Sequence, residues 1–177
     1  LTLIIGFIYG ENLNYGSQGD WVGANRTAIQ GFSDSFNYTF LNYDEYGHRH
    51  SPIYLIFLSL FLDLGLDIDQ VRLFHLHLSI LLIAIFYQCL RLKFTSINSN
   101  YLFLLSLIIF LSPTFRSLAI WPDSRIPGLI FFVLTIYFFL KFKLTNNLKY
   151  TWYTCVSLVI SSYISPNFSI FFPYFFL

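Results

Sequence analysis

Apolar and polar positions fall in blocks along this chain, and the blocks have membrane length. An apolar start, Leu1–Tyr9, gives way to a polar, aromatic-rich stretch over 10–52, and apolar runs follow to the end. A helix that crosses a bilayer needs about 20 mostly apolar residues. Val71–Leu92, Tyr101–Ala119 (with Pro113 near its end), Ile126–Phe142 and Tyr150–Ser165 approach that length. Backbone groups in hydrocarbon must be satisfied within the segment, so these runs predict helices and not strands. The fold class read from the pattern is an all-α, polytopic membrane protein with an outward first loop that carries juxtamembrane helices.

Basic residues set the predicted orientation. Arg91 and Lys93 follow the first of these spans, and Lys141, Lys143 and Lys149 surround the end of the third. Two spans separate the clusters, so both fall on one side, read as cytoplasmic. The 10–70 region and the 113–125 turn then face outward. Pro52–Leu64 is apolar but short, and a crossing there would place Arg91 outside. It is therefore read as a helix lying in the outer interface, ended by Gly65, with Asp63, Asp67 and Asp69 in water. The competing reading makes it a short span.

Composition narrows the class. Hydrophobic residues are 56% and charged residues 11% of the 177, which excludes an ordinary soluble domain. A net charge of +1 gives no footing for a nucleic-acid partner. Cys89 and Cys155 lie inside apolar runs and read as small hydrophobes. The chain has no Met and begins and ends in apolar sequence, which suggests an internal part of a longer protein. Leu1–Tyr9 lacks a basic flank and a cleavage site, so it reads as the outer end of a first span rather than a signal peptide.

Candidate chemistry gathers in the two outward segments. Asp20 precedes a short predicted helix, Ala24–Phe32, where a carboxylate would suit the unpaired amides as a cap. A base or metal-binding carboxylate near the membrane surface is the alternative. His48-Arg49-His50-Ser51-Pro52 offers Arg49 as a phosphate contact through its planar fork, against a snorkelling surface arginine. Two histidines are too few for a zinc site. His75 and His77 suit interhelical hydrogen bonds. The second outward turn holds Arg116, Trp121 as an interfacial anchor, and Asp123 as a cap for the helix starting near Ile126. Arg116 and Arg125 share the side of Asp20 and His50. The Asn-x-Ser/Thr triplets at Asn25, Asn37 and Asn167 are short enough to arise by chance.

The order of these pieces resembles the N-terminal part of the GT-C membrane glycosyltransferases, the branch of lipid A aminoarabinose transferases, protein O-mannosyltransferases and Rgt-type sugar transferases. In that family a first helix leads to an outward loop that opens with an acidic motif, often Asp-Glu. A surface helix, a polar residue or histidine before proline, and a second juxtamembrane helix follow. Val-Arg then opens a span, and Pro-Asp or Leu-Asp forms a later turn. Here these positions read Asp20, Ala24–Phe32, His50-Ser51-Pro52, Pro52–Leu64, Val71-Arg72 and Pro122-Asp123. The chain departs at Trp21, where the second acid would stand, and around Ser165-Pro166-Asn167, where members often carry a lysine.

The resemblance implies transfer of a sugar from a polyprenyl-phosphate donor to a lipid, glycan or protein acceptor by inverting displacement, in the bacterial inner membrane with the active loop facing the periplasm. Asp20 would be the base. Arg49, His50, Arg72 and Arg116 would hold the donor phosphate, with Asp123 lining the cleft. No particular cofactor is implied, and a divalent metal ion at Asp20 stays open. A non-catalytic or transport-type protein of surface-polysaccharide assembly, polymerase-like or flippase-like, is the rival. Ionisable residues expected at mid-span in a transporter are missing from Val71–Leu92 and Ile126–Phe142.

Overall fold

The computed structural model describes residues 1–12, 15–47 and 50–176, and among them there is no strand. The segment expected to form the outward loop is mostly helical. After α1 (Thr2–Ile8), α2 (Tyr15–Asp20) runs through a π-helical turn at Trp21–Asn25 into α3 (Arg26–Asp34), followed by α4 (Phe36–Leu41). The apolar face of α3, Ala28, Ile29 and Phe32, is buried against α5 (Ile53–Asp63), whose Tyr54, Leu55 and Leu58 are buried in turn. At 11 residues α5 rises only about 16 Å, half the hydrocarbon thickness. Gly65 ends it at φ +88, a backbone conformation that favours glycine.

α6 (Ile68–Lys93) opens with a full capping box. Asp67 accepts from the amides of Asp69 and Gln70, and the Gln70 side chain accepts from the Asp67 amide. α7 (Ser99–Leu107) continues through a 3₁₀ turn to Leu111. The chain then bends by 77° into α8 (Pro113–Ile120). The expected span Tyr101–Ala119 is therefore broken at Ser112. Pro113 has no N–H to continue the helix, and Ser112 caps the new one by accepting from the Phe115 amide.

α9 (Arg125–Thr145) packs along α6. It joins α10 (Leu148–Ile164) through Asn146, held left-handed at φ 51, and Asn147, which caps α10. A 3₁₀ stretch, Pro166–Phe171, and α11 (Phe172–Phe176) follow. Helices meet closely where small residues allow it. Ser161 donates to the Gly128 carbonyl at 2.8 Å, and a Cβ on Gly128 would lie 2.7 Å from that of Ser165.

Among the described residues α6 and α9 are long and apolar enough to cross a membrane, and the bent pair α7–α8 is a third candidate. α10, at 17 residues, is shorter than the others. Both cysteines are free, Cys89 buried and Cys155 half-buried.

Candidate functional site

Asp20 does not cap a helix. The expected start at Ala24 lies inside helical backbone, because Asp20 itself is αR and its side chain makes no cap bond. The π turn takes the place of the predicted helix start. Its i→i+5 bonding, Arg26 amide to Trp21 carbonyl, puts positions five apart on one face. Asp20 and Asn25 accordingly line the same cavity, of about 390 Å³, together with His50, Asp123 and Arg125. Asn25 is buried and donates from Nδ2 to the Pro122 carbonyl at 2.8 Å, which fixes the π turn against the turn that carries Asp123.

Arg125 joins the two carboxylates. Its Nε donates to Asp123 Oδ1 at 2.7 Å and its Nη2 to Asp123 Oδ2 at 2.8 Å, a fork on both carboxylate oxygens. The same Nη2 reaches Asp20 Oδ2 at 3.0 Å. Asp123 also accepts the Arg125 amide at 2.7 Å, so its expected place at the start of the helix holds, through the first helical amide. Burial pushes the Asp123 carboxyl up, but the bonds and charge of Arg125, with His50 adding to them, outweigh burial and hold it below its ordinary value. The two acids differ in access. The Asp123 side chain is 5% exposed and that of Asp20 57%. His50 lines the same cavity, and its Nδ1 is buried without a hydrogen-bond partner in the protein.

Two expected phosphate contacts lie elsewhere. Arg116 does not line this cavity: its Nε is bonded to Glu11 Oε1 at 2.8 Å and its Nη1 to the Phe110 carbonyl. Arg72 also stands apart from the cavity. Its guanidinium lies between the rings of Phe7 (4.7 Å) and Trp121 (4.2 Å), and Nη1 is bonded to Asp69. The acid that Arg116 meets and the rings that Arg72 meets are far from them in sequence. Arg49 lies outside the described residues. Trp121 is not an interfacial anchor. It is buried because its indole N–H donates to the Glu11 carbonyl at 3.0 Å and its ring carries Arg72. Trp21, which stands where the family's second acid would be, is buried in the core.

His75 makes the interhelical bonds expected of it, accepting at Nδ1 from the Tyr54 hydroxyl on α5 and donating from Nε2 to Leu118 O on α8. The Leu118 carbonyl can only accept, which fixes that tautomer for the neutral ring. His77 bonds its own helix, at Leu73.

A second cavity, of about 450 Å³, is walled by apolar side chains of α5, α6, α9 and α10, among them Ile53, Phe57, Leu78, Ile130 and Ile164. Pro127 lines it one turn or less along α9 from Arg125, and Ile53 lies shortly after His50, so the polar and apolar cavities share two segments.

Among the described residues no three His, Cys, Asp or Glu side chains gather to hold a metal. The Arg125 guanidinium supplies the positive charge between Asp20 and Asp123 that a divalent cation would supply. Compared with family models, curated proteins and solved structures, the chain matches none.

Proposed function

We propose that the protein is a membrane glycosyltransferase that moves a sugar from a polyprenyl-phosphate donor to a lipid, glycan or protein acceptor at the outer face. One observation carries this reading. A polar cavity with an accessible carboxylate shares segments of α9 and of the α5 approach with a wholly apolar groove. That juxtaposition suits an amphiphile with a charged head and an isoprenoid tail. The ordered resemblance to the GT-C transferases supplies the reaction class.

In this mechanism the Asp20 carboxylate takes the proton of an acceptor hydroxyl. The acceptor oxygen attacks the anomeric carbon as the bond from that carbon to the phosphate oxygen breaks. Polyprenyl phosphate leaves, and the configuration inverts. Arg125 and the unpartnered Nδ1 of His50 are the cavity's candidates for the leaving phosphate. Asp123 holds the Arg125 fork in place. Arg72 and Arg116 serve the framework.

The rival, a non-catalytic or transport-type member of a surface-polysaccharide system, draws on the ion pair that already engages Asp20. One experiment separates the two. Full-length protein in proteoliposomes is given polyprenyl-phosphate sugar donors, and release of polyprenyl phosphate is followed for wild type and Asp20→Asn. Release by wild type and its loss in the variant support transfer. Release by the variant at the wild-type rate removes Asp20 from the chemistry.

A further inference from the structure

The end of α9 farthest from Asp20 carries a third cavity, of about 620 Å³, between the last turns of α6 and α9 and the ring-rich α11. Its walls are mostly apolar, with Phe86, Leu90, Ile136 and Phe175 among them, and Lys93 and Lys143 are lining residues, the Lys143 ammonium lying 5.5 Å from the centre of the Phe139 ring on the same wall. The α9 residues that line this cavity, Ile136 to Leu144, lie about 16 to 28 Å along the helix from Arg125, toward the opposite end of a 21-residue helix. α6 and α9 pack side by side, with the Cys89 thiol donating to the Val133 carbonyl at 3.5 Å; Lys93 follows that contact by about 6 Å of helix and Lys143 by about 15 Å, and the cavity spans the interval between them.

The simplest role for Lys93 and Lys143 is to complement the carbonyl ends of the two helices. That role needs no cavity, and it predicts none with apolar walls beneath the ammonium groups. From the combination we infer that this cavity binds an anionic phospholipid, one acyl chain between α6, α9 and α11 and the headgroup phosphate at Lys93 and Lys143. Basic pockets between spanning helices hold anionic headgroups in this way. The helix carbonyl ends oppose an anion, but their field fades within the last turn, whereas lysine stems carry charge outward past it. The inference requires α6 and α9 to cross the bilayer and is independent of glycosyl transfer.

Full-length protein purified from membranes provides the test, with phosphatidylglycerol and phosphatidylcholine offered together and the retained lipid read by native mass spectrometry. Wild type should retain phosphatidylglycerol about tenfold over phosphatidylcholine, as expected for two lysines at a membrane surface. Lys93→Gln with Lys143→Gln should remove the preference, while Lys93→Arg with Lys143→Arg keeps it. Leu144 lines the cavity and is exposed, so Leu144→Trp should fold and yet lower retention of both lipids. Lys141 and Lys149 are not among the lining residues, and their change to Gln should leave the preference intact. Equal retention of both lipids by wild type would overturn the inference, and so would an unchanged preference in the double Gln variant. Displacement by inorganic phosphate, with Leu144→Trp silent, would leave a free-anion site and remove the lipid.

Discussion

Two groups of charges are built from the same residue types and put to different use. In one, Arg125 bridges Asp20 and Asp123 at the wall of an open cavity, and Asp20 keeps more than half of its side chain exposed. In the other, Arg116 pairs with Glu11 and Arg72 lies between Phe7 and Trp121, with each of these charged side chains about a fifth exposed or less. The first group leaves its charge at the wall of a cavity. The second spends its charge tying α1, α6 and α8 together. An arginine beside a membrane is therefore not a phosphate contact by type alone; its partners decide.

The largest effect expected from this contrast is on rate. Asp20→Asn should lower transfer roughly a hundredfold or more, the usual consequence of removing a general base. Unfolding stability should move by about 0.5 kcal/mol or less, because the lost ion pair is exposed. Donor turnover and detergent unfolding of the same preparation measure both. A stability loss that matches the activity loss would make Asp20 a member of the framework.

Next in size is the opposite pattern. Arg116→Gln should cost about 2 kcal/mol in unfolding, since Glu11 is left with little solvent and no countercharge. Transfer per folded molecule should stay near wild type. A double-mutant cycle with Glu11→Gln isolates the pair, and a coupling near zero would dissolve it.

How much of this could be read along the chain follows from range. The two long helices were legible because hydrophobic run length is local, and so were the Gly65 turn and the Asp123 position before α9. The bend at Ser112 was half-legible: Pro113 marked it, but apolar length concealed it. The partners of the arginines were not legible. Arg125 meets Asp20 across 105 positions and Arg116 meets Glu11 across the same number, and no pattern in the sequence encodes such a pairing. Glu11 gave no signal beyond being an acid after Gly10. Asn25 looked like part of a chance glycosylation triplet, yet burial and the Pro122 carbonyl give it a structural task. The π turn that replaces the Asp20 cap is set by tertiary contact and not by helix propensity.

Asp123 tests the boundary between the two groups through pH. Its carboxyl is held below its ordinary value of 3.8. A depressed folded-state value stabilises the protein fully above that ordinary value, and the contribution fades as pH falls through the folded-state value. Wild-type stability should therefore lose this contribution only below about pH 4. Asp123→Asn should be less stable by about 1.5 kcal/mol at neutral pH and show a shallower decline in acid. Unfolding midpoints collected from neutral to acid pH give the comparison. Parallel curves would mean that the Arg125 fork adds nothing to stability.

The smallest effect is the most exacting, because Arg72 is where the framework reading departs from the phosphate contact that the Val-Arg position suggests. Its guanidinium is planar and lies 4.7 Å from the Phe7 ring centre and 4.2 Å from that of Trp121. Its Nε and Nη2 are buried without hydrogen-bond partners in the protein. Arg72→Lys keeps the charge but loses the flat stack, at a cost of about 1 kcal/mol. The Asp69 pair adds little, since that acid is exposed. If Arg72 belongs to the framework, the lysine variant shows this small loss in unfolding and unchanged donor affinity and turnover. Substitution by Leu should then lose more stability and still transfer sugar once folded. If Arg72→Lys instead unfolds like wild type while donor affinity collapses, the guanidinium reaches a phosphate in the working enzyme, and the line drawn between the two groups of charges moves to include it.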